Sequence, residues 1–203
     1  MNVLLSTTYF GPVQWYQKLY RANQAWIEGQ ESCQKQTYRN RCLIATTQGV
    51  QALIVPVEGS RMSQPSTISN LRISDHGNWR HLHWNALQSA YGESPFFEYY
   101  EDDLRPFFQT AWEYLVDFNE AIRQKMCELI DIQPRVDYTT HYEKAPSALL
   151  DLRDAIQPKR PAADTDFSPR SYYQVYSGKH GFLPNLSILD LLLNMGPESI
   201  FYL

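Results

Sequence analysis

Cysteine is scarce in this chain. Among 203 residues only Cys33, Cys42 and Cys127 are cysteine. They are odd in number and unpatterned, which excludes a disulfide framework and a C-x-x-C metal or redox motif. So few thiols suit a reducing compartment. Glycine is also sparse, at nine residues, and no Gly-rich phosphate loop can be read. Positive charge is in deficit: 18 Lys and Arg stand against 22 Asp and Glu, for a net charge of −4 and a pI near 5.7. A protein that grips a nucleic-acid backbone needs a basic face, so a nucleic-acid partner is not expected. No apolar run approaches the roughly 20 residues of a membrane span. Met1-Asn2-Val3-Leu4-Leu5-Ser6 has no basic segment before its short apolar run, unlike a secretory signal. The expectation is a cytoplasmic protein with no membrane span.

What is present is hydrophobic and aromatic. The chain is 43% hydrophobic and carries 14 Tyr, 9 Phe and 5 Trp. A chain of this length buries about 70% of its unfolded surface and needs no staples. One domain over residues 1–203 is expected.

Val3 to Thr7 reads as a buried strand. Tyr9-Phe10-Gly11-Pro12 breaks it, and Pro12 suits the first turn of a helix. That helix runs to about Asn23, with Val13, Tyr16, Leu19 and Tyr20 on one face. Ala25 to Glu28 reads as a second strand, so the opening has the spacing of a parallel crossover. The strand, aromatic-proline loop and helix resemble the layout of HIGH-type nucleotidyltransferases. Gln14-Trp15-Tyr16-Gln17 stands where their His-x-Gly-His would be, so their leaving-phosphate chemistry does not carry over.

Gln34-Lys35-Gln36-Thr37-Tyr38-Arg39-Asn40-Arg41 packs three cations and several hydrogen-bonding groups into eight positions. A solvated loop feeding an edge strand is one reading. The other is a ligand grip. If the segment is extended, Arg39 and Arg41 share a face and can clamp a carboxylate or phosphate. Cys33 beside this block is a structural cysteine, or a thiol whose pKa a cation lowers. Cys42–Thr46 and Gln51–Val57 then read as a hairpin turning at Gln48-Gly49, with Pro56 leaving the sheet.

Glu58–Asn70 reads as a loop and Leu71–Ile73 as a short strand. A helix follows from about Trp79 to Tyr91, with Gly92 as its C′ residue. Its apolar face holds Trp79, Leu82, Ala86, Leu87, Ala90 and His83. His76, His81 and His83 are close in sequence. Positions 81 and 83 point about 200° apart on a helix, against the i, i+4 spacing of helical metal pairs. No metal or cofactor is expected. Asp102 and Asp103 look like caps of one long helix, with apolar residues every three or four positions from Leu104 to Leu129. Val136–Tyr138 reads as a strand, and Ser147 as the cap of a helix to Ile156. Residues 157–170, with Pro158, Pro161 and Pro169, read as a mobile linker or a lid. Tyr172–Tyr176 alternates like a strand. Ser187-Ile188-Leu189-Asp190 has the form of a capping box on a buried terminal helix. The fold class is α/β: a small mixed or mostly parallel sheet, made of the N-terminal βαβ unit plus a hairpin. It packs against helices that include a long central one and a buried C-terminal one.

Several blocks together resemble the WbqC-like family. They are Tyr9–Pro12, Gln34-Lys35 with Tyr38–Arg41, Val55–Val57, His83-Trp84, Ala90-Tyr91, Pro95–Tyr100 and Gly181–Leu192. One departure is Ser6-Thr7-Thr8, which stands where the family's pattern has a Gln-Pro pair, so no ligand contact is carried over at that spot. The resemblance implies a cytoplasmic bacterial role in surface-polysaccharide or sugar-nucleotide modification. One resulting hypothesis is acyl or aminoacyl transfer to an amino sugar. Its partner would be a nucleotide sugar or other phosphorylated small molecule. Lys35, Tyr38, Arg39, Asn40 and Arg41, with Tyr9, would hold the ligand, and Asn185, Ser187 and the last helix's first amides would offer further donors. His83 or Glu98 would move the proton. The alternative is a non-catalytic sugar-nucleotide-binding or scaffolding protein. Convergence of Arg39, Arg41, His83 and Glu98 on one pocket would favour catalysis.

Overall fold

The computed structural model describes residues 1–32, 34–58, 67–144, 146–159 and 161–203. β1 (Asn2–Ser6), α1 (Val13–Arg21) and β2 (Gln24–Glu28) form the expected crossover. β1 and β2 are parallel, in register from Asn2 with Gln24 to Ser6 with Glu28. Strand alternation sends Val3, Leu5, Ala25 and Ile27 into the main core and leaves Leu4 with Trp26 on the other face. α1 is buried along Val13 to Leu19, including the polar Gln14, Gln17 and Lys18.

The strand β3 (Arg41–Thr46) pairs antiparallel with β4 (Gly49–Ile54) as a separate two-stranded sheet. Gly49 takes φ 103° at the turn, a conformation open to glycine. Residues 34–40 are turns, with Gln36 at φ 62°, and the strand begins only at Arg41. The extended register expected for Arg39 and Arg41 therefore does not form. Leu71–Ile73 makes no strand; Arg72 and Ile73 form isolated bridges to Tyr114 and Val57.

The helix α2 (Trp79–Tyr91) buries Trp79, His83, Leu87 and Ala90, while Leu82 is 59% exposed. Gly92 keeps a right-handed conformation (φ −56°) and is not a left-handed cap. The single long helix of the sequence reading is three: α3 (Phe97–Leu104), α4 (Pro106–Gln109) and α5 (Leu115–Ile130). Pro106 cannot donate to the preceding turn. Beyond it, the backbone at 113–115 leaves the helical path to bond with 71–73: Ile73 N donates to Glu113 O and Leu115 N to Leu71 O. Asp102 and Asp103 lie inside α3 and cap nothing. The stripe itself survives, with Leu104, Phe107, Phe108, Leu115, Phe118, Ile122 and Met126 all buried.

β5 (Val136–Tyr138) joins β2, and β6 (Leu150–Asp151) joins β1, both parallel, giving the order β5-β2-β1-β6. β6 replaces the helix expected after Ser147. The free edge of β1 draws this segment in, and Leu152 N donates to Leu4 O. Tyr172–Tyr176 alternates in burial but joins no sheet. Gln174 takes the place of a ladder, its Nε2 donating to Leu183 O and its Oε1 accepting from Leu183 N.

After α6 (Ser177–His180), the last helix α7 (Ile188–Met195) is buried from Ile188 to Asn194. Ser187 caps it through the Leu189 amide at N2, not the N3 amide. Asp190 does not reach back to complete a box. It is fully buried and accepts from Tyr91 OH (3.0 Å), Tyr172 OH (2.7 Å) and Gln174 Nε2 (2.7 Å). Val13 N donates to Leu186 O, Ser187 N to Leu43 O and Ile188 N to Gly11 O. The C-terminal segment thereby pins the β1–α1 turn against the hairpin.

Candidate functional site at the carboxyl end of the parallel sheet

In open parallel sheets, ligands bind beyond the carboxyl ends of the strands where the strand order reverses. Here β2 lies on one side of β1 and β6 on the other, so the reversal falls between β1 and β6. A small cavity of about 10 Å³ sits there, lined by Ser6, Thr7, Thr8, Trp15, Tyr38, Arg39, Leu152, Arg153 and Ile156. Its size is at the lower limit for one water. The Thr8 hydroxyl is buried with no hydrogen-bond partner among the described residues. Such a group is costly unless something bonds to it.

Buried cations ring this end of the sheet. Arg39 is 2% exposed. Its Nε and Nη2 grip Glu31 at 2.7 and 2.5 Å, and Nη2 also donates to Ser6 Oγ at 2.7 Å. Ser6 Oγ in turn donates to the Arg153 carbonyl at 3.2 Å. Arg153 forks onto Asp151 through Nε (2.9 Å) and Nη2 (2.5 Å), and its Nη1 reaches Glu28 at 3.1 Å. Glu28 also accepts from Thr139 Oγ1 and the Gln30 amide. Lys18 follows Trp15 by three residues, on the same side of α1, and its Nζ meets Asp164 Oδ1 at 2.7 Å. Burial pushes the Asp164 carboxyl up, but bonds from Lys18, Gln14 and the Asp166 amide outweigh it and hold the group below its ordinary range.

The polar block contributes unevenly. Tyr38 lines the cavity, and burial pushes its phenol up to about 12. Arg39 lines it too. Lys35 is exposed and Asn40 is spent on the hairpin, its Nδ2 donating to Val55 O. Arg41 forms no ion pair among the described residues, and its Nε is buried without a partner. Cys33 lies outside the described residues.

The proposed proton carriers do not meet. Tyr9 and His83 are buried together, the hydroxyl 2.8 Å from Nδ1, and the ring also bonds the Ile54 carbonyl. Burial lowers the His83 pKa to about 4, so the ring is neutral near pH 7. Glu98 is exposed on α3. Neither lines the cavity. Arg39, Arg41, His83 and Glu98 thus share no described pocket.

Asn185 and Ser187 serve the β1–α1 turn. Asn185 Oδ1 accepts from the Gln14 amide (2.9 Å), and its Nδ2 donates to Gln14 Oε1 (3.1 Å). Ser187 Oγ donates to Phe10 O at 2.8 Å. The first amides of α1 are therefore already used, although a helix N-terminus in this position would otherwise suit phosphate. Sequence reasoning missed Lys18, Glu28, Glu31, Arg153 and Asp164. Lys18 falls on the face of α1 opposite Val13, Tyr16 and Leu19, so its pattern reads as solvated and its burial comes from distant parts of the chain.

Among the described residues, no group of three or more His, Cys, Asp or Glu is placed to hold a metal ion. A wider groove of about 700 Å³ between the hairpin and α2 is lined by Thr46, Thr47, Gln48, Gln51, Asn85 and Ser89, with no charged side chain in the lining itself; Lys179 donates to the carbonyl of Thr47.

A parallel α/β sheet with an ionic layer at its carboxyl end defines the class of fold. The chain belongs to the WbqC-like protein family, whose profile matches residues 7–160. That span holds α1, every strand after β1 and the ionic residues up to Asp154; β1 and the closing block at 181–192 lie outside it. The chain is also similar to the uncharacterized protein Rv1507c of Mycobacterium tuberculosis. The two are 29% identical over 195 aligned residues, with 83% of this chain and 82% of that protein covered. No solved structure matches the chain. Among the described residues, no helix is long and apolar enough to cross a membrane.

Proposed function

We propose that this protein binds a phosphorylated sugar, of the nucleotide-sugar class, at the carboxyl ends of β1 and β6. Family membership supports a polysaccharide-related role in general. The observation that carries the binding reading is the coincidence of three features at the strand-order reversal. These are a small cavity with Ser6, Thr7 and Thr8 in its lining, the unpartnered Thr8 hydroxyl and the buried Arg39 and Arg153. Hydroxyls and guanidiniums are the groups that recognise sugar and phosphate oxygens.

Binding and positioning fit this geometry better than group transfer does. A transferase needs a proton carrier within reach of the attacking group, and His83 and Glu98 lie elsewhere. The test is a thermal-shift panel of nucleotide sugars on the wild type and on Thr8→Val. A ligand raises Tm according to its concentration relative to Kd. Thr8→Val removes an unpartnered buried hydroxyl, so the ligand-free transition stays level or rises, while affinity falls about tenfold, the worth of one hydrogen bond. Equal affinity in both proteins would remove the ligand from this end of the sheet.

A further inference from the structure

We propose that Gln14 and Lys18 form an anion subsite and that Asp164 is its internal placeholder, a carboxylate that a ligand's phosphate or carboxylate displaces. The inference deepens the binding reading and rests on it only for the identity of the natural ligand.

Three buried cations, Lys18, Arg39 and Arg153, pair with five carboxylates: Glu28, Glu31, Asp151, Asp164 and the solvent-exposed Asp154, 3.9 Å from Arg39. An added anion is unwelcome there unless one carboxylate leaves. Three of them are built in. Glu28 and Asp151 belong to strands, and Glu31 is 4% exposed and clamped by Arg39. Asp164 differs. It sits in 161–170, which has no helix or strand and is exposed at every position except Asp164 and Phe167. This strap puts one carboxylate onto the body of the protein.

What it sits on is prearranged. Lys18 and Gln14 are 2% and 5% exposed, one helical turn apart on α1. Lys18 Nζ donates to Asp164 Oδ1 at 2.7 Å, and Gln14 Nε2 donates to Oδ2 at 2.8 Å. Asn185 Nδ2 holds Gln14 Oε1, which turns the amide's N–H toward the carboxylate. Asp164 holds its own shape by accepting the Asp166 amide on Oδ1 at 3.1 Å. The two donors stay in place when the strap lifts, because α1 is fixed by the core. A lysine and an amide spanning two oxygens is chemistry that serves a phosphate as well as a carboxylate.

The probe is inorganic pyrophosphate, titrated calorimetrically into the full-length wild type, Asp164→Asn and the double variant Asp164→Asn/Lys18→Gln. Asp164→Asn is expected to bind at least about tenfold more tightly than the wild type, since one carboxylate no longer competes. Adding Lys18→Gln should abolish that gain. A second reading needs no variant: saturating pyrophosphate should speed thermolysin cleavage within 161–170 of the wild type, because the strap is released. Equal affinity in wild type and Asp164→Asn, a gain that survives Lys18→Gln, or unchanged cleavage at saturation would each overturn the inference. If pyrophosphate behaves as described while no nucleotide sugar binds, the placeholder stands and the proposed ligand class fails.

Discussion

At the scale of the residue, burial decides which polar side chains can act. His83 has the right chemistry for a base, but desolvation takes its pKa from 6.5 to about 4. The folded state therefore resists its protonation, and the unfolded state binds the extra proton between those values. Stability from this residue is fully present above pH 6.5, declines as pH falls, and is lost by about pH 4. The total is about 3 kcal/mol at 1.36 kcal/mol per pKa unit. Urea titrations from pH 7 to pH 4 should show this loss, and His83→Gln should flatten the profile. Arg39 illustrates the same rule for charge. Its guanidinium is committed to Glu31, so Glu31→Ala should strand a buried cation and cost about 3–5 kcal/mol in urea unfolding. A cost below 1 kcal/mol, the size of a surface pair, would mean that the pair is solvated.

At the scale of the element, the sequence was legible where a segment's own pattern decides its structure. The βαβ opening follows from a buried apolar run, a proline at a helix start and a second alternating run. The hairpin follows from two β-prone runs around Gly49. Legibility failed where a distant partner decides. β6 spans Leu150–Asp151 and exists because the edge of β1 needs a partner. The central stripe was readable, but its breakage into α3, α4 and α5 depends on the bonds between 113–115 and 71–73. Asp190 read as half of a capping box because Tyr91, Tyr172 and Gln174 meet it only in three dimensions. The same long-range logic makes α7 indispensable. Leu189, Leu191, Leu192 and Leu193 are each 0% exposed. Removing one such leucine side chain costs about 2–5 kcal/mol, and a domain has only about 5–15 kcal/mol to lose. A chain ending at Pro184 should show no cooperative thermal transition. A soluble truncation with an unchanged Tm would refute the role given to α7.

At the scale of the molecule, one edge of a four-stranded parallel sheet gathers the features that count. The polar block at 34–41, singled out by composition alone, reaches this edge through Tyr38 and Arg39; Lys35 and Asn40 do not line the cavity. Arg153, which meets Arg39 through Ser6, comes from just after β6, far from Arg39 in sequence. That is why no local motif announces the site. The wider groove between the hairpin and α2 is the natural rival as a sugar site. The measurement that separates them most directly is a crystal structure of the full chain with the nucleotide sugar that gives the largest thermal shift. The account predicts the sugar-phosphate beyond the carboxyl ends of β1 and β6, within hydrogen-bond distance of Thr8. A ligand seated between β4 and α2, against Gln51 and Asn85, would contradict it.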